Sequence, residues 1–181
     1  SPTLSSQYIS ALLQVGPCCR NGLTIQFDGP VTSQPYVEMT LTLMSQFGAV
    51  ALVERHGDAL HHITVKPSPY RAIDYTVEPD ASNASYFLAA AAIVPGSTCT
   101  IEGLGRGSLQ GDATFADVLH RMGAGLLFGR DFITVKAPSQ EEGLRGIDID
   151  LNHMPDMVQT LAVAALFASS RTIIRNVGNL R

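Results

Sequence analysis

Two glycine–alanine pairs, Gly48–Ala49 and Gly123–Ala124, stand about 75 residues apart, and each closes a run with apolar residues at helical spacing. The runs are Pro35 to Gly48 and Gly111 to Gly123. Three further stretches also repeat: Ser5 to Leu13, Asp80 to Ala92 and Asn152 to Ala168. Each begins with small or polar residues able to cap a helix, then turns apolar at helical spacing. Short β-branched runs follow them at Leu23 to Phe27, Thr98 to Glu102 and Thr172 to Asn176. After the second helix of each unit come two more β runs, Ala49 to Glu54 with His61 to Lys66, and Gly125 to Phe128 with Phe132 to Lys136. The fold class is therefore α/β (α+β), in repeated strand–helix–strand–helix–strand–strand units. Two units are nearly whole and a third stops after its helix and following strand. The period is too long for a solenoid of small repeats. Lys66 to Arg71, with two prolines, and Pro79 suit a linker between the first two units.

Composition narrows the function classes. Hydrophobic residues make up 45% and charged residues 15% of the 181, as in a folded protein with a core. The apolar stretches Tyr86 to Val94 and Leu161 to Ala168 are each less than half of the roughly 20 residues a membrane helix needs. They are expected to be helices buried on most sides, with no membrane partner. No charged segment precedes an apolar one at the start, so no secretory leader is read. With a net charge of -4, no basic stripe and no Trp, nucleic acid is not an expected partner. Cys18, Cys19 and Cys99 form no C-x-x-C pair, which points to reduced thiols in a cytosol-like compartment.

The polar residues most worth following sit at helix starts, where unpaired N–H groups and a partial positive charge favour anions. Ser5, Ser6 and Gln7 precede the first helix, and Ser33, Pro35 and Tyr36 the second. Asn152, Pro155 and Asp156 precede the helix of the third unit. Hydroxyls and an amide at two helix starts can cradle a phosphate and a hydroxylated ring, and the Asp156 carboxylate can hold or deprotonate a hydroxyl. Ser, Asn and Asp are also the commonest helix caps, so residue type alone leaves both readings open. His61–His62 and His153 have no Cys or carboxylate at ligand spacing and are read as surface or core histidines, with no metal site expected. Gly103 to Ser108 (G-L-G-R-G-S) lacks the lysine of a phosphate loop and is read as a turn. No base neighbours Cys18 in sequence, so it is read as a small buried residue.

These clusters, in their order, resemble the 5-enolpyruvylshikimate-3-phosphate (EPSP) synthase family over essentially the whole chain. The matching strings are S-S-Q-Y with A-L-L (Ser5 to Leu13), S-Q-P-Y-V-E-M-T-L-T-L-M (Ser33 to Met44) and D-A-S-N-A-S-Y-F-L-A-A-A-A-I (Asp80 to Ile93). S-L-Q-G-D (Ser108 to Asp112), N-H-M-P-D-M (Asn152 to Met157) and R-N-V-G-N-L-R (Arg175 to Arg181) complete the set. The resemblance implies the enolpyruvyl transferase fold, a two-domain inverse barrel with three copies of the unit per domain, incomplete here. Residues 1–78 match the last unit of the shikimate-phosphate-binding domain, and 79–181 the first unit and part of the second of the other. It implies transfer of the enolpyruvyl group of phosphoenolpyruvate to the 5-hydroxyl of shikimate 3-phosphate, releasing phosphate through a tetrahedral intermediate, with no cofactor.

The same resemblance assigns Ser5, Ser6, Gln7, Ser33, Tyr36 and Asn179 to shikimate 3-phosphate. To Asp156 it assigns the 5-hydroxyl and a part in proton transfer. The family's active-site lysines, and the arginines that clamp phosphoenolpyruvate, lie outside this stretch. None of the three helix-start clusters supplies a Lys or Arg in their place. The location implied is cytoplasmic, or plastid for a plant parent. Two other readings share the fold: a transferase acting on UDP-N-acetylglucosamine, and a non-catalytic binding module. The S-S-Q and S-x-P-Y clusters suit a small phosphorylated ring better than a UDP-sugar.

The chain starts at Ser1 rather than Met, and its third unit is interrupted, so a fragment inactive by itself is expected. Cut edges should expose apolar surface. We therefore expect the isolated chain to self-associate, measurable as a concentration-dependent sedimentation coefficient. A monomer with a sharp, reversible unfolding transition would count against it.

Overall fold

The burial of side chains along one strand organises the first half of the molecule. In the computed structural model, which describes residues 6–178, the chain divides into two compact units between Thr76 and Val77. In the first, helix α1 (Ser6–Val15) leads through a 3-10 turn into β1 (Leu23–Gln26), and α2 (Gln34–Gln46) leads into β2 (Ala51–His56). A turn through Gly57 returns the chain as β3 (Ala59–Val65), whose Leu60, Ile63 and Val65 point into the core. The sheet order is β1–β3–β2, and β3 pairs antiparallel with both neighbours.

This arrangement sets the direction of the helices. Leu23 of β1 and Ala51 of β2 both pair with Val65, so the two strands start at the same end of the sheet. Each helix finishes close to where its following strand begins. The residue after α1, Gly16, lies so near Val65 that an added Cβ would meet it at 3.0 Å. Both helices therefore run towards the Val65 end, side by side, with Ser10 Oγ 2.7 Å from Thr40 Oγ1 between them. Their N-termini share the opposite end. There Gln34 donates from Nε2 to the Asp58 carbonyl (2.9 Å), and its Oε1 accepts the Leu60 N–H (3.3 Å).

The second unit repeats the pattern. Helix α3 (Ala81–Ile93) leads into β4 (Thr98–Glu102), and a 3-10 turn (Gly111–Thr114) opens α4 (Phe115–Arg121) before β5 (Gly125–Phe128) and β6 (Phe132–Lys136). The order is β4–β6–β5, again antiparallel, and Thr98 and Gly125 both pair with Lys136. The matching glycines end α2 and α4 in the same way. Gly48 (φ 86°) and Gly123 (φ 112°) take the left-handed conformation that favours glycine. The following N–H groups of Ala49 and Ala124 reach back to the Met44 and Leu119 carbonyls at 2.9 and 3.1 Å. A third repeat then begins: β7 (Asp148–Asp150), α5 (Val158–Ala165) and β8 (Ile173–Arg175), with β7 and β8 parallel and α5 as the crossover.

In the third stretch a 3-10 turn at Pro155–Met157 leads into α5, which stops at Ala165. Two expectations need correcting. Strand β7 was not anticipated, because D-I-D offers one apolar residue between two charges. The apolar helices are not buried on most sides. Ala81, Ala84, Ala89, Ala91 and Ala92 of α3 are buried, and Ser85 meets Thr160 of α5 at 3.1 Å, yet Tyr86, Phe87 and Val94 face outward, as do Val163, Leu166 and Phe167 near α5. No helix among the described residues is long and apolar enough to cross a membrane.

The S-L-Q-G-D string has a structural task. Glu78 accepts bonds from Ser108 Oγ (2.6 Å), Leu109 N–H (3.0 Å) and Gln110 Nε2 (3.1 Å). Gln110 also accepts the Ala81 N–H (2.8 Å) and donates to the Pro79 carbonyl (2.7 Å). The chain entering α3 is thereby clamped to the loop after β4. Partial burial works to raise the Glu78 pKa, but these bonds outweigh it and hold the carboxyl below its ordinary value. Its stabilising contribution is thus present above the ordinary glutamate range, near about pH 4.3, and is lost as pH falls through the lower folded value. Ser108→Ala should destabilise unit 2 by about 1–2 kcal/mol in urea unfolding at neutral pH. Glu78→Gln should flatten the acid limb of the stability curve, whereas an unchanged limb would remove the clamp from the account.

Candidate functional site

In the first unit the parallel helices bring two predicted clusters to one end. Ser6 and Tyr36 each lie one turn N-terminal to the Ser10–Thr40 contact, on α1 and α2 respectively. Ser6 is 7% exposed, Gln7 is exposed and Tyr36 is half-buried. Ser33, 8% exposed, holds φ 56° and ψ 42°, a left-handed conformation uncommon for a residue with a side chain. Its hydroxyl does not cap α2, although it stands at the capping position. The ordinary cap reading therefore fails for Ser33. A tight turn closes behind it instead, the Tyr36 N–H donating to the Ser33 carbonyl at 3.1 Å. Ser5 lies outside the described residues.

In the second unit, Asp156 stands exposed in the 3-10 turn that opens α5, between the buried Pro155 and Met157. The turn follows the carboxyl end of β7, which is the ligand-binding edge of parallel β–α–β units in general. A residue that the sequence reading passed over organises this edge. Asp150 accepts the Asn152 N–H (2.8 Å) and the Asn176 side-chain amide (2.5 Å), joining the ends of β7 and β8. The Asn152 N–H, then Asn176, hold its carboxyl below the usual range. Asp148 and Arg175 add a two-bond ion pair across the same strands, 2.6 Å at each bond. D-I-D and R-N each showed the acid or amide, but not their pairing. Asn179 lies outside the described residues, three positions beyond Asn176.

Electrostatics separates the two sets of helix ends. In the second unit the protein supplies its own anions. Asp80 accepts the Asn83 N–H at 3.0 Å at the start of α3, and Asp112, in the turn opening α4, accepts Ser82 Oγ at 2.6 Å. In the first unit neither α1 nor α2 carries an acidic residue in its first turn. The corresponding ends offer hydroxyls and an amide, and so remain attractive to an outside anion. The arrangement suits a phosphate with neighbouring hydroxyls. A groove of about 540 Å³ between α2 and β2 is lined by Glu38, Leu41, Ser45 and Val53 among others and includes none of the predicted residues. Gly103 to Ser108 forms a turn packed on the β5–β6 connection, and an added Cβ at Gly105 would lie 2.3 Å from the Arg130 carbonyl. Cys18, expected to be buried, is exposed, and so is His153.

Comparison with known proteins agrees with this architecture. An enolpyruvyl transferase from Streptomyces tendae, NikO, superposes with a TM-score of 0.62 at 19% identity, covering 96% of this chain and 42% of that one, which establishes the fold alone. A 3-phosphoshikimate 1-carboxyvinyltransferase of Haemophilus ducreyi is 45% identical over 99% of this chain. The enzyme of the same name from Serratia proteamaculans is 46% identical over the same share. The chain spans about 40% of the length of these curated relatives. The family model for EPSP synthase (3-phosphoshikimate 1-carboxyvinyltransferase) matches residues 1–181, and the chain belongs to that family.

Proposed function

We propose that this chain is part of an enzyme that moves the enolpyruvyl group of phosphoenolpyruvate to the 5-hydroxyl of shikimate 3-phosphate, with release of phosphate. The observation that carries the reading is the acid-free pair of helix N-termini in the first unit, with Ser6 and Ser33 buried there. In this reading Ser5 and Ser6 hold the phosphate through hydroxyl and N–H donors. Gln7, Ser33 and Tyr36 line the ring, and Asn179 contacts the same substrate. Asp156 accepts the bond from the 5-hydroxyl and takes its proton as the new C–O bond forms. Residues 1–78 are then the last repeat of the shikimate-phosphate-binding domain, and 79–181 the first repeat and part of the second of the other. The named relatives are bacterial, which favours a cytoplasmic setting over a plastid. The cations that two anionic substrates require would come from elsewhere in the parent protein.

The strained backbone at Ser33 supports a role in binding, since such conformations persist where function uses them. Titration calorimetry should show shikimate 3-phosphate binding to this chain, while UDP-N-acetylglucosamine does not bind. Ser33→Ala should weaken that binding about tenfold or more, the loss of one bond to a charged group. Ser33→Gly should weaken it likewise while raising the unfolding midpoint, because glycine relieves the left-handed strain. In the full-length protein Asp156→Ala should lower phosphate release about 10²- to 10⁴-fold with folding retained. Preference for the UDP-sugar would move the chain to the other transferase class. A folded chain that binds neither ligand would favour a non-catalytic module.

A further inference from the structure

The β2–β3 hairpin carries a side-chain cluster that the proposed reaction does not use. Glu54 pairs with His62, but Arg55 pairs with Leu60, so His61 is an extra residue on β3 without an opposite number. This is a β-bulge, and a bulge re-aims the side chain it inserts. Burial records the slip: Leu60 and Ile63 both face the core, three positions apart, with His61 and His62 between them. Neighbouring strand residues normally point to opposite faces. Here the two rings meet edge to face at 4.6 Å, and His61 Nδ1 lies 3.0 Å from His62 Nδ1. Glu54 Oε2 stands 3.9 Å from His62 Nδ1, and one ligand atom from each of the three lies within 4.8 Å of the others. The equivalent hairpin in the second unit, β5–β6, pairs without a break from Gly125–Lys136 to Phe128–Ile133, so the bulge is particular to the first unit.

We propose that Glu54, His61 and His62 form a binding site for a divalent transition-metal ion of the zinc, nickel or copper class. Two imidazoles and a carboxylate are the donor set these ions prefer. A tetrahedral ion with bonds of 2.0–2.1 Å keeps its ligands roughly 3.3 Å apart. The Nδ1 pair needs to open by a few tenths of an ångström, and Glu54, whose side chain is 76% exposed, is free to swing inward. In the contact between the rings one Nδ1 carries the proton and the other a lone pair. On metal binding that proton shifts to Nε2, so both nitrogens coordinate and neither ring changes charge. Water completes the shell on the open side. His56, stacked on His61 with ring centres 4.0 Å apart, holds that ring in place and is a positioning residue. The sequence hid the site because Glu54 is seven and eight positions from the histidines, and only the register of the hairpin brings them together.

The probes are Zn²⁺ by calorimetry and Co²⁺ by visible absorption, both with the 181-residue chain. One equivalent should bind saturably, with the intense visible bands of tetrahedral cobalt and without the near-ultraviolet band of a cobalt–thiolate bond. His61→Gln and His62→Gln should each weaken binding about 100-fold or more, and Glu54→Gln about tenfold, with folding checked by circular dichroism. His153→Gln should change nothing. A thiolate band would move the ion to the cysteines and overturn the proposal. So would binding that survives His62→Gln, or no saturable binding by the folded wild-type chain.

Discussion

The antiparallel pairing of one central strand with both of its neighbours governs everything else in each unit. Because β1 and β2 both oppose β3, they run the same way and start at the same end. Each follows a helix, so both helices must finish at that end and begin at the other. A repeat with this connectivity cannot avoid gathering its helix N-termini on one edge. The second unit obeys the same rule through β6, and Ser82 and Asp112 meet at 2.6 Å there because the starts of α3 and α4 are neighbours.

What distinguishes the units is what occupies those starts. Carboxylates of Asp80 and Asp112 neutralise the edge of the second unit internally, as caps and hydrogen-bond acceptors. The first turns of α1 and α2 in the first unit carry no acidic residue. Two units with one topology thus differ in the charge at their described helix starts. Ser33 holds φ 56° at the capping position of α2 without a capping bond, and its carbonyl accepts the Tyr36 N–H instead. Gln34, bonded to Asp58 and Leu60, anchors this turn to the hairpin that carries the histidine cluster.

Much of this was legible in the sequence, for local reasons. Gly48 and Gly123 marked both helix ends because a left-handed stop needs glycine, and β-branched runs marked the strands whose burial alternates. The serine and aspartate clusters were found because helix starts favour them. What stayed hidden depended on partners distant in the chain. Glu78 and Ser108 are 30 positions apart, and nothing in G-L-G-R-G-S announces the clamp. Strand β7 is held by its pairing with β8 and by the Asn176 amide that reaches Asp150, partners that lie 25 or more positions away in the chain. The bulge at His61 is invisible without the register, so Glu54 could not be recognised as its neighbour. Ser33 looked like a cap by residue type, but its hydroxyl makes no capping bond to α2.

The claim that the first unit's helix starts receive the phosphate can be measured residue by residue, by following backbone amide resonances as shikimate 3-phosphate is added. Saturable shifts are expected at Ser6, Gln7, Gln34, Tyr36 and Val37. Almost none are expected at Gly48 and Ala49, at the far end of the same helices, or at Ala81 to Asn83, where Asp80 already supplies the anion. Shifts centred on Gly48 and Ala49, or no response from the folded chain, would contradict it.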